Sequence, residues 1–91
     1  MNKGFYVLQF LDNDIKVETI SYIDTFVKFD KVVKAVFIGE SIAELINGTS
    51  IRSVESVTNK IMHSTNLLKF NKAELLHIKK LISNLVADYL K

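Results

Sequence analysis

The sequence predicts an α+β domain: an N-terminal antiparallel β-hairpin or meander, followed by two or three C-terminal α-helices packed on one face. Three observations predict it. Apolar and polar residues alternate with a period of two in the first third of the chain. The period lengthens to 3.6 after Gly39. Turn and cap residues stand where the pattern breaks, at Asp12-Asn13-Asp14, Asn47-Gly48 and Asn71. The 91 residues make a single domain, 1–91, with a thin core.

The stretch GFYVLQFL (4–11) is β-branched and aromatic, and the turn formers that follow stop it. After the turn, IKVETI (15–20) alternates: Ile15, Val17 and Thr19 face one way, Lys16 and Glu18 the other. The period predicts a half-buried strand, and residues 4–20 together read as a hairpin. Residues 24–38 fit two patterns. As a helix, Phe26, Phe29, Val33, Val36 and Phe37 share a face, with Asp24 as N-cap. As strands, Val27 and Phe29, then Val33, Ala35 and Phe37, alternate around a turn at Asp30-Lys31. The β-branched content favours strands.

Beyond Gly39 the spacing predicts helices. Ile42, Leu45 and Ile46 share the face of a short one, ended by Asn47-Gly48. Thr49 or Ser50 is the expected cap of the next, with Ile51, Val54, Thr58, Ile61 and Met62 on its stripe. His63-Ser64-Thr65-Asn66 reads as a loop. Asn71 then caps the last helix, with Glu74 three residues on, as in a capping box.

That last helix carries more apolar surface than one core requires. At 100° per residue its apolar positions, Leu75 to Leu90, cover an arc of roughly 220°, against about 100° or more for an ordinary surface helix. Within the arc Leu75, Ile78, Ile82, Leu85, Val86 and Tyr89 form a seam suited to packing helix on helix. A domain this small is expected to leave part of such an arc for a second copy or a larger protein.

Charge bears on partners. The net charge is only +2, but it is unevenly spread. Residues 1–48 hold five basic and seven acidic residues, whereas 49–91 hold seven basic and three acidic ones. Such asymmetry is compatible with an acidic partner, but ordinary solvated helix faces are the better reading of it. Lys28, Lys31, Lys34, Arg52, Lys60, Lys79 and Lys80 are the candidate contacts for phosphate if the partner is nucleic acid. One arginine in the chain weighs against reading of base edges. The lysine, asparagine and isoleucine content suits an AT-rich genome, a low-GC bacterium or a phage.

Catalysis finds little to stand on. Glu74-Leu75-Leu76-His77 has the E-x-x-H spacing of carboxylate-bridged metal bundles, but those need two copies and further glutamates. It reads as a solvated pair, and His63 as a surface or capping residue of the middle helix. Gly39-Glu40-Ser41 lacks the second glycine of a nucleophile elbow. Glycine occurs only at 4, 39 and 48, so no phosphate-cradling loop can be drawn. Without cysteine there is no disulfide or thiolate site. Neither a cofactor nor a metal is expected, and no apolar run is long enough to span a membrane.

The expectation is a cytoplasmic, non-enzymatic protein-interaction module, an adaptor, regulator or inhibitor of a larger protein, self-associating through the last helix. A nucleic-acid-binding regulator is the alternative.

Overall fold

In a computed structural model that describes residues 2–25, 31–46, 53–64 and 67–90, β1 (Gly4–Asp12) and β2 (Ile15–Ile23) pair antiparallel from Gly4↔Ile23 to Asp12↔Ile15. The hairpin turn is closed by Asn13 and Asp14, with φ of 50° and 65°. Positive φ at both central positions is the twist-matched I′ geometry, and Asn and Asp tolerate it better than other residues with a Cβ. Strand β3 (Val32–Gly39) adds antiparallel to the other edge of β1, giving the order β2-β1-β3. The fold is α+β, as the change of period predicts.

The strand reading of 24–38 therefore holds for its second half, and Lys31 enters β3 with a φ of 64°. The proposed strand at Val27–Phe29 lies outside the described residues. As the central strand, β1 is covered on both faces, so four consecutive residues, Tyr6 to Gln9, are buried. Gly4 is required where it stands. Its φ of 149° disfavours any side chain, and a Cβ there would lie 2.8 Å from the backbone of Glu40.

Three helices follow: α1 (Ile42–Ile46), α2 (Val54–Ser64) and α3 (Lys72–Tyr89). Ser41 caps α1, its hydroxyl accepting from Glu44 N at 3.1 Å. Leu45 and Ile46 turn to the core, as their spacing predicts, with Ile42 packed beside them. The second helix departs from expectation at both ends. It begins at Val54, and its cap is Ser53, whose Oγ accepts from Ser56 N at 3.1 Å. Thr49, Ser50 and Ile51 lie outside the described residues. At the other end His63 and Ser64 continue the helix rather than opening a loop, and His63 donates from Nδ1 to Asn59 O at 2.7 Å.

The capping box of α3 is complete. Asn71 Oδ1 accepts from Glu74 N, and Glu74 Oε1 accepts from Asn71 N, both at 2.8 Å. Replacing Asn71 by alanine removes a side-chain acceptor from the first turn. The expected cost is about 1 kcal/mol, read as a lower urea midpoint with an unchanged slope.

The main core lies between the sheet and the helices. Val7, Val36 and Ile38 meet Val57 and Ile61 of α2 and Ile78, Ile82 and Val86 of α3. A second, smaller cluster, Tyr6, Leu8 and Ile23, with Phe10 and Phe37 beside it, occupies the other side of the sheet. Here β2 reverses its expected polarity. Ile15 is 66% exposed while Glu18 is buried. The alternation is read correctly, but its polar side is the one that faces the helices.

Candidate functional site

The reason for that reversal is a polar cluster under the first turns of α3. The β1–β2 register sets Gln9 opposite Glu18, and the β1–β3 register sets Gln9 opposite Lys34. These three side chains therefore form one row across the sheet. Gln9, fully enclosed, donates from Nε2 to Glu18 Oε2 at 3.2 Å and also to Glu74 Oε2. One amide group thus bridges a carboxylate on β2 and another on α3. His77 donates from Nδ1 to the remaining oxygen of Glu18, at 3.0 Å. Lys34 Nζ lies 4.0 Å from Glu74 Oε1, donates to Lys69 O, and sits 5.1 Å from the centre of the Phe70 ring.

The E-x-x-H pair is therefore not simply solvated. Spaced three apart, Glu74 and His77 lie on one side of α3, and both reach down to the sheet. Lys34 has likewise turned inward, which withdraws it from the candidate phosphate contacts. Gln9 Oε1 has no donor among the described residues. Turning the amide over would aim that oxygen at two carboxylates, so the orientation is fixed by its neighbours.

Glu74 titrates below its ordinary value of 4.5, chiefly because it accepts from the backbone N–H of Asn71. The Gln9 amide lowers it further, burial pushes the other way, and Lys34 and Lys16 add smaller pulls downward. The unfolded chain therefore takes up a proton that the folded chain refuses. This contribution to stability is present above 4.5 and is lost as pH falls through the lower folded value. Glu74→Gln should show a flatter loss of stability than wild type when urea midpoints are followed from about pH 7 to pH 3.

The cluster is a latch between sheet and helix. Its carboxylates are engaged by an amide, a histidine and a lysine. Among the described residues no group of three or more His, Asp or Glu is placed to hold a metal ion. At the Gly4 end of the sheet a shallow open depression of ≈ 510 Å³ is lined by Asn2, Lys3, Tyr22, Glu40 and Ser41.

The seam predicted on α3 divides. Ile78, Ile82 and Val86 are fully enclosed by the chain's own core, so they cannot meet a second chain. The reason is that α3 is covered on two flanks. Glu74 and His77 lie on β1 and β2, and on the far flank Ser83 Oγ donates to the buried Thr58 Oγ1 of α2 at 3.3 Å. A small domain can sandwich one helix if a neighbouring helix closes the side the sheet leaves open. Leu75 and Leu85 are half-buried, and Tyr89 is exposed.

Of the phosphate candidates, Lys31, Lys79 and Lys80 are exposed and Lys60 is half-buried. Lys28 and Arg52 lie outside the described residues. Lys34 sits in β3. No described helix is long and apolar enough to cross a membrane. Compared with protein-family models, curated proteins and solved structures, the chain finds no match.

Proposed function

We propose that this chain is a small non-enzymatic protein-interaction module of the cytoplasm, an adaptor, regulator or inhibitor of a larger protein. The last role would suit a phage or mobile-element origin. The observation that carries the reading is the apolar surface left over once both cores are filled. Leu68 is 91% exposed, Leu76 67% and Tyr89 48%, all in the C-terminal third where basic residues outnumber acidic ones. Exposed leucines set among charges are what an interface with an apolar centre and polar rim presents.

Two partners were expected, a second copy and a larger protein. What weighs towards the larger protein is the enclosure of Ile78, Ile82 and Val86, which leaves too little of the seam for a symmetric helix pair. The nucleic-acid reading rests on Lys31, Lys79 and Lys80, whose exposure favours it, while the inward turn of Lys34 does not.

Capture from native lysate at about 50 and 500 mM salt, with and without nuclease, separates the two readings. A protein retained through both treatments is the expected result. Material lost with nuclease, or released as salt rises, would transfer the function to phosphate binding.

A further inference from the structure

The solvent side of α3 has a pattern of its own between Lys72 and Lys80. Leu76, 67% exposed, lies one helical turn after Lys72 and one turn before Lys79 and Lys80, and all three lysines are exposed. Residues three and four apart on a helix are surface neighbours, with Cβ atoms about 5–6 Å apart. Leu76 is therefore the centre of a triangle of ammonium groups. The single carboxylate of this stretch, Glu74, is turned away from it, to Gln9 and Lys34. The ion pairs Lys34–Glu74 and His77–Glu18 leave this triangle untouched. Positive charge is thus gathered on one face of α3 with an apolar side chain at its middle, and between Lys72 and Lys80 the helix adds no acid to that face.

We propose that this face docks an acidic protein segment, its carboxylates meeting Lys72, Lys79 and Lys80 around an apolar side chain that covers Leu76. Charge complementarity selects the acid, and the leucine selects against a bare polyanion. A phosphate backbone has nothing to place on an exposed leucine, and lysines offer point charges without the bidentate geometry that reads bases. The inference rests on the protein-interaction reading and gives its partner a chemistry.

The probe is a fluorescein-labelled peptide of repeated Glu-Glu-Leu-Leu units, titrated at low and moderate salt and followed by backbone amide shifts. Shifts are expected to cluster at residues 72–80. Affinity should fall about tenfold or more in Leu76→Ser, and similarly in Lys79→Glu/Lys80→Glu, with both circular dichroism spectra unchanged. A peptide with serine for leucine should bind about tenfold more weakly. Undiminished binding by Leu76→Ser, shifts confined elsewhere, or no binding at all would overturn the assignment of this face while leaving the wider reading standing. Tighter binding of a DNA duplex, or of vesicles containing phosphatidylserine, than of the peptide would overturn both.

Discussion

Replacing Ile82 by aspartate is expected to unfold the chain. Ile82 has no accessible surface and is held in the main core, with Ile78 and Val86 beside it on α3. Truncating such a side chain to alanine alone typically costs about 2–5 kcal/mol. Aspartate adds an unpaired carboxylate in an apolar setting, which must either ionise at high cost or hold its proton. A domain of this size has about 5–10 kcal/mol to lose. Leu85→Asp is the matched control. Leu85 is half-buried, so its carboxylate can reach water, and a folded chain with a lower urea midpoint is expected. Circular dichroism and urea titration of the pair decide the matter. Two folded variants, with Ile82→Asp merely monomeric, would mean that a second chain had been covering this helix.

The second large effect is expected at Gln9, where exchange for glutamate changes almost no volume. The wild-type amide is the shared donor between Glu18 and Glu74. Glutamate in its place removes both donated bonds and sets a third carboxylate among two others, in a position with no exposure. A buried charge left without a partner costs about 3–5 kcal/mol, and repulsion from like charges adds to it. Gln9→Glu should therefore be strongly destabilised near neutral pH. As pH falls, the introduced carboxyl can take a proton and donate again, so part of the loss should return. Wild type has the opposite tendency there, because Glu74 titrates below its ordinary value. Urea midpoints across pH that moved in parallel for the two proteins would contradict the bridging role of Gln9.

Much of the architecture is legible in the sequence because it is local. The hairpin follows from alternation and from two residues that accept positive φ. The capping box of α3 follows from Asn71 and Glu74 alone. The inward face of α1 follows from the spacing of Ile42, Leu45 and Ile46. What was not legible depends on contacts between distant segments. The burial of Glu18 is decided by Gln9 and His77, nine and fifty-nine residues away. Nothing within IKVETI announces it. A buried glutamine in the middle of the most apolar strand was the available signal, since an interior amide needs partners that only another element can bring.

The apolar arc of α3 divides for a related reason: Ile78, Ile82 and Val86 are enclosed by the chain, while Leu76 and Tyr89 stay exposed. Its width is real, but width says how much surface must be covered, not by what. Thr58 and Val57 on α2, with Ser83 opposite, supply part of that cover from within the chain. The start of α2 was misplaced because Thr49, Ser50 and Ser53 are all competent caps. Ser53 takes the role, with Val57, Thr58 and Ile61 buried on the helix that it opens.

Amide hydrogen exchange along α3, measured at several protein concentrations, tests most directly whether one chain encloses this helix. Protection at Ile78, Ile82 and Val86 should match that of global unfolding and should not change with concentration. Protection at these three residues that rises with concentration would contradict it, since their cover would then come from a second copy.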